Sequence, residues 1–230
     1  MEKQSISKEL FYSNPGTVSY QEAWDLQRTI HLMRTSGAIE DTLLLLEHPH
    51  TYTLGKTADR TNLIGSEEYL EKNGISVFEI DRGGDITYHG PGQIVGYPII
   101  DLNKWKPDTH LYLRNLEEVI IKVLAEYGIE SGRKPEYTGV WVGESKIAAI
   151  GIRVSRWVTM HGFAFNINTD LELFNGIIPC GIKDKEVTSL SRLLKREINI
   201  DEVKQKLRDQ FVLHFDYTTL KEIDIYQLVH

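Results

Sequence analysis

Cys180 is the only cysteine in the 230-residue chain, and it stands between Pro179 and Gly181. An isolated cysteine is ordinarily a small buried hydrophobe. Here the flanks argue for a presented thiol, because proline fixes the approach of the chain and glycine leaves the backbone beside the sulfur unhindered. A thiol attacks as the thiolate, so it needs a partner that takes or stabilises its proton. Lys146, His89 and His161 qualify by type, and their spacing along the chain does not rank them. Lys146 opens the run Lys146-Ile147-Ala148-Ala149-Ile150-Gly151, apolar or small after the lysine. At a hairpin edge such a lysine is ordinarily solvated. Enclosed, it is desolvated and can exchange protons near neutrality.

The densest run of chemistry-bearing residues is Arg82-Gly83-Gly84-Asp85-Ile86-Thr87-Tyr88-His89-Gly90-Pro91-Gly92-Gln93, with Tyr97 soon after. Its glycines let the backbone approach a ligand and leave amide N–H groups to bind it, while Arg82, Thr87, His89 and Gln93 supply side-chain donors. The run lacks the Gly-Lys-Ser/Thr of a phosphate-binding loop and the G-x-G-x-x-G of a dinucleotide fingerprint. A binding loop and a tight structural turn both fit it. His48 and His50 offer only two ring donors with no H-E-x-x-H pattern, a poor start for a metal site, and none is expected.

These residues must be positioned by an α+β scaffold. Ser19 with Glu22 has capping-box spacing, and Ala23, Leu26, Ile30 and Met33 then recur at helical intervals up to Gly37. A second long helix is capped by Asp108 and carries Leu113, Leu116, Ile120, Val123, Leu124 and Tyr127 to Gly128. A third spans Asp201 to Phe211, capped by Asn199 or Asp201, and a short one covers Ser66 to Lys72. Strands are expected at Thr42–Glu47, Thr51–Leu54, Ile75–Asp81 and Tyr97–Leu102. A hairpin joins Gly139–Val142 to Lys146–Val154 through Gly143-Glu144-Ser145, followed by Thr159–Asn168. The glycine-rich stretch Arg82–Gly96 reads as a connection. Helices set apart from hairpin-linked strands indicate an α+β or mixed α/β sheet with flanking helices rather than a regular doubly wound fold.

Composition bounds the reading. Hydrophobic residues make up 41% and charged residues 26%, a globular balance that one domain over residues 1–230 can use to bury a core. Lys and Arg number 26 against 33 Asp and Glu, so the summed field disfavours nucleic acid. An acidic partner would need a local basic patch, for which Arg133, Lys134, Arg153, Arg156, Lys183 and Lys185 are candidates. The N-terminal thirty residues hold no signal-peptide h-region, and no apolar run approaches the roughly 20 residues of a membrane span. A lone cysteine excludes an intramolecular disulfide and a multi-cysteine metal site. A cytoplasmic, reducing location is expected, with no membrane partner.

The run Arg82 to Tyr97, R-G-G-D-I-T-Y-H-G-P-G-Q-I-V-G-Y, resembles the signature of lipoyl(octanoyl) transferases. Further stretches agree in order: Glu47-His48-Pro49 with Tyr52-Thr53-Leu54-Gly55, then Gly143-Glu144-Ser145-Lys146-Ile147, then His161-Gly162-Phe163-Ala164 leading through Asn166 and Asn168 to Pro179-Cys180-Gly181. The resemblance implies the fold of biotin protein ligases and lipoate ligases. It implies that Cys180 carries an acyl group as a thioester and that Lys146 lowers the thiol pKa. It implies substrate binding by Arg82, Gly83, Gly84, Asp85, Ile86, Thr87, Tyr88 and His89, by Ala149, Ile150 and Gly151, and by Gly162, Phe163 and Ala164. The implied reaction moves octanoyl from octanoyl-acyl carrier protein to a lysine of lipoyl domains, those of 2-oxoacid dehydrogenase E2 subunits and of the glycine cleavage H protein, as the first step of endogenous lipoylation. No cofactor is implied. Two rival readings are an ATP-dependent lipoate or biotin-type ligase, which has no need of a cysteine at position 180, and a non-catalytic fatty-acyl-binding module. The stretch 215–230 carries no motif, and its role is left open.

Overall fold

The computed structural model describes residues 8–135, 137–178 and 186–229. Cys180, Pro179, Gly181, Lys183 and Lys185 lie outside these residues.

The described strands are β1 (Glu9–Ser13), β2 (Asp41–Leu46), β3 (Thr51–Leu54), β4 (Ser76–Glu79), β5 (Ile86–His89), β6 (Gln93–Ile99), β7 (Gly132–Lys134), β8 (Tyr137–Val142), β9 (Ser145–Ser155), β10 (Val158–Asn166) and β11 (Thr219–Glu222). The helices are α1 (Tyr20–Ser36), α2 (Glu67–Lys72), α3 (Thr109–Glu126), α4 (Leu190–Leu194), α5 (Ile200–His214) and α6 (Ile225–Val229). Eight strands form one mixed sheet in the order β11-β1-β2-β6-β10-β9-β8-β7, and a small second sheet has the order β4-β3-β5. The expected α+β architecture is what the chain adopts.

Strand β2 shows why the large sheet is covered on both faces. Its six residues are all buried, and the two-residue period of a strand sends Leu43 and Leu45 to one face and Leu44 and Leu46 to the other. The first pair packs with Leu116, Ile120 and Val123 of α3 and Leu207 and Phe211 of α5. The second pair packs with Ala23, Leu26 and Ile30 of α1. The expected caps form: Ser19, Asp108 and Asn199 each accept a main-chain N–H of the helix they open. Gly37 closes α1 at φ 75°, a left-handed conformation that glycine adopts without Cβ strain.

The structure adds to the sequence reading short elements it did not name, among them β1, β7, α4 and α6, and two further points concern longer stretches. Arg82–Gly96 is not one connection, since β5 and most of β6 lie within it. The C-terminal stretch is part of the scaffold: β11 pairs parallel with β1, Phe215 and Tyr217 enter the α3–α5 core, and Ile225 packs beside α1.

One buried ion pair ties α1 to the sheet and to this C-terminal stretch. Arg34 Nε donates to Asp41 Oδ1 at 2.6 Å, and Asp41 also accepts from Asp101 N–H at 2.8 Å and from Tyr217 O–H at 2.8 Å. The Arg34 and Asp41 side chains are 1% and 4% exposed. Asp41→Ala would strand a buried guanidinium and two further donors, so it is expected to lower stability by about 3–5 kcal/mol. Urea unfolding followed by circular dichroism measures this. A loss within experimental error would mean that Arg34 finds another partner.

Candidate active site

The loop that begins at Asp81 and strand β5 face β6, β9 and β10 across a cavity of about 510 Å³. That volume falls in the range of small-molecule sites, roughly 300–1,000 Å³. Val95, Leu113, Ile150, Ile152, Phe163 and Phe174 supply apolar wall. Two close approaches shape it. A Cβ on Gly96 would lie 2.2 Å from the Phe163 ring, so the ring lies over bare backbone at its cross-strand partner. A Cβ on Gly151 would lie 2.9 Å from Gly83 O, and Gly83 N–H donates to Ile152 O at 3.0 Å, so the glycine-rich loop lies directly on β9.

The cavity wall includes Lys146, residues 82–87 and 89, Ala149–Gly151 and Gly162–Ala164. Thus the structure gathers the described residues singled out as substrate-binding, together with Lys146, around one space, with Tyr88 the exception, while Cys180 lies outside the described residues. Strand alternation turns Tyr88 away from Thr87 and His89 and against Phe174, with its hydroxyl 2.8 Å from His50 Nδ1. The cavity also has contributors that the sequence reading did not select, including Tyr20, Leu113, Tyr137, Thr138, Phe174 and Val187. They come from distant elements and carry no local signature. Asn166 already stood within a quoted motif.

Polar groups at the cavity are joined in one direction. Arg82 Nη2 donates to Thr53 O at 2.8 Å and to Thr53 Oγ1 at 2.9 Å. The Thr53 hydroxyl faces His89 Nε2 at 3.3 Å, and His89 Nδ1 faces Gln93 Oε1 at 3.0 Å. Since a glutamine carbonyl only accepts, His89 carries its proton on Nδ1 and accepts at Nε2. Gln93 Nε2 donates to Asn166 Oδ1 at 2.9 Å, and Asn166 Nδ2 donates to Thr188 O at 3.0 Å. Burial holds the His89 pKa well below the ordinary histidine value. His89 is therefore neutral with both ring nitrogens engaged, a poor proton acceptor for a thiol.

His48 is likewise neutral, its pKa lowered to about 4 by burial, with Nδ1 donating to Val18 O and Nε2 facing Tyr97 O–H, both at 2.7 Å. His161 adopts φ 57° and receives orientation from two sides. Its main-chain N–H donates to Gln27 Oε1 at 2.8 Å, and its Nε2 donates to Asp81 Oδ1 at 2.8 Å. Hydrogen bonding from His161 lowers the Asp81 carboxyl pKa, and burial lowers that of His161. The pair is carboxylate and neutral imidazole.

Lys146 is half-buried on the wall, with Nζ 5.0 Å from the centre of the Trp141 ring. The chain that resumes at Glu186 runs parallel beside it: Lys146 N–H donates to Glu186 O and Thr188 N–H donates to Lys146 O, both at 2.9 Å. At the other flank, Ile178 N–H donates to Asn62 O at 2.8 Å. The described chain is thus anchored at Ile178 by Asn62 and at Glu186 by Lys146.

The candidate basic patch reads differently in three dimensions. Arg133 is paired with Glu117 and Glu118, Lys134 with Glu144, and Arg153 with Asp81. Three of the six expected cations therefore neutralise neighbouring carboxylates. Lys183 and Lys185 lie outside the described residues.

Comparison with known proteins gives the fold and the family. Residues 19–212 match the lipoyl protein ligase A/B catalytic domain. A lipoate-protein ligase A solved with bound ATP superposes with a TM-score of 0.75 at 16% identity, over 97% of this chain and 93% of that one. The biotin protein ligase of Aquifex aeolicus superposes at a TM-score of 0.50 and 15% identity, over 92% of this chain and 70% of that one. The fold is that of the lipoate and biotin protein ligases. Octanoyltransferases of Solibacter usitatus and Rubrobacter xylanophilus are 51% and 56% identical, over 89% and 86% of this chain and 92% and 89% of theirs. The chain belongs to the octanoyltransferase family and is an acyltransferase. Among the described residues no helix is long and apolar enough to cross a membrane.

Proposed function

We propose that this enzyme moves an octanoyl group from octanoyl-acyl carrier protein to a lysine of lipoyl domains through a thioester on Cys180, with Lys146 as the proton partner. The observation that carries the reading is Lys146 on the wall of a largely apolar cavity, hydrogen-bonded to the chain that returns from the Cys180 segment. In the first half-reaction the Cys180 thiolate attacks the donor carbonyl, the bond to the carrier sulfur breaks, and one thioester replaces another at little net free-energy change. Lys146 takes the thiol proton and can pass it to the departing sulfur. In the second half the acceptor amine attacks and gives up its proton to Lys146, the Cys180 sulfur leaves as the thiolate, and an amide forms. That step is downhill, so no nucleotide is consumed. Main-chain N–H groups of the glycine-rich loop are available to hold the tetrahedral oxygen. Acceptors of this chemistry are the lipoyl domains of E2 subunits and the glycine cleavage H protein, and the reaction belongs in the cytoplasm.

Mixing the protein with octanoyl-acyl carrier protein and weighing it intact tests the proposal. One octanoyl adduct per chain, formed without ATP and removed by hydroxylamine, is expected. No adduct, or octanoylation of a lipoyl domain only when free octanoate and ATP are supplied, would replace this mechanism by that of a ligase.

A further inference from the structure

The relay described above ends on Thr188, and Thr188 lies between two elements of the cavity wall. On one side its N–H is held by Lys146 O at 2.9 Å, and on the other its carbonyl is held by Asn166 Nδ2 at 3.0 Å. Asn166 is 4% exposed and sits at the end of β10, opposite Gln93 in the β6–β10 register. Its amide orientation is not free. Gln93 Nε2 is identified as the donor by Tyr88 O, a main-chain carbonyl that it reaches at 3.1 Å, so it also donates to Asn166 Oδ1, and this leaves Asn166 Nδ2 as the donor toward Thr188 O. The tether crosses from the central sheet to the residues that follow the Cys180 segment, and it reaches them at Lys146.

We propose that Asn166 is a positioning residue for acyl transfer: by holding the Thr188 carbonyl it fixes Thr188 against the Lys146 backbone, and so the place of the Lys146 amine on the cavity wall. The inference rests on the octanoyl-transfer reading given above. It assigns Asn166 no contact with the reacting atoms. A tether of this kind acts on rate through geometry, and a displacement of about 1 Å at a reacting pair can cost on the order of 100-fold. Gln93 serves the same end one step back, by fixing which face of the Asn166 amide points at Thr188. Plain packing would require only that position 166 be filled.

Asn166→Asp separates the two roles. The carboxylate keeps the size of the side chain and keeps an acceptor for Gln93, but it replaces the donor toward Thr188 O by an oxygen. Acyl-enzyme formation from octanoyl-acyl carrier protein should slow by about 10- to 100-fold in kcat, with KM for the donor within about twofold of wild type. Gln93→Glu removes the donor that orients Asn166 without touching Thr188, and it should lower kcat in the same direction by a smaller factor. It also decides the matter if Asn166→Asp does not fold, as judged by its melting transition. Wild-type kcat in both folded variants overturns the proposal, and so does a rise in KM at constant kcat, which would make Asn166 a substrate contact. If the wild type itself forms no octanoyl adduct, the octanoyl reading falls. The rate of Cys180 alkylation by iodoacetamide then decides: a several-fold loss in Asn166→Asp supports the tether, and an unchanged rate removes it.

Discussion

Cys180→Ala is expected to abolish octanoyl transfer, with a loss of at least about 10⁴-fold, the scale seen when a covalent nucleophile is removed from an enzyme that otherwise keeps its binding site. The chain holds no second thiol to take over. The described wall, from β5, β6, β9, β10 and the loop from Asp81, does not depend on the thiol, so the alanine variant is expected to bind the octanoyl donor with near wild-type affinity. Cys180→Ser is expected to fail as well, because a hydroxyl is far weaker as an acid than a thiol and Lys146 cannot make an alkoxide at neutral pH. Octanoylation of a lipoyl domain followed by intact mass reads the result. An alanine variant that transfers at the wild-type rate would show that the acceptor amine attacks the carrier thioester directly, and the covalent mechanism would be abandoned.

Much of the scaffold could be read from short-range chemistry. Ser19, Asp108 and Asn199 cap helices because each side chain needs only main-chain N–H groups two or three residues ahead. Leu43 to Leu46 could be assigned to a doubly covered strand because four consecutive leucines have no polar face. What escaped depends on partners far away in sequence. Glu9–Ser13 and Thr219–Glu222 are short and partly polar; the first becomes a strand by pairing with β2 and β11, and the second by pairing with β1 across the whole length of the chain. Strands within Arg82–Gly96 were hidden by the glycines and Pro91 around them, although those residues fall mainly at the turns.

The site divides along the same line. The Arg82, Ala149 and Gly162 stretches are each contiguous in sequence, so they were legible, and they fall on one cavity. Tyr88 was included because its stretch was treated as a loop, where the alternation of β5 does not apply. The partners of the basic residues were not legible, since ion pairing of Arg153 with Asp81 or of Arg133 with Glu117 joins different elements. Candidate proton acceptors could be named but not separated. Hydrogen bonds set one of them aside: His89 has both ring nitrogens engaged, whereas Lys146 lies against the chain that leads back to Cys180.

That placement makes Lys146 the second decisive position. A thiol with an ammonium within about 4–6 Å loses its proton at lower pH, by roughly 1–3 pH units, because the thiolate is the form the cation stabilises. Lys146→Ala should therefore move the inflection of Cys180 alkylation by iodoacetamide upward, toward the ordinary thiol value of about 8.5. At pH 7 the thiolate fraction then falls, and acyl-enzyme formation loses its proton acceptor as well. The combined loss in the first half-reaction is expected at about 10²–10⁴-fold. Lys146→Arg divides the two contributions. A guanidinium keeps its charge and does not release a proton near neutrality, so the alkylation inflection should stay low while transfer remains impaired. The Trp141 ring, 5.0 Å from the Lys146 ammonium, can accept either cation, so the arginine variant has a place for its head group. An alkylation profile identical to wild type in Lys146→Ala would pass the proton role to His161, whose imidazole is already oriented by Asp81 and whose Nδ1 has no hydrogen-bond partner among the described residues.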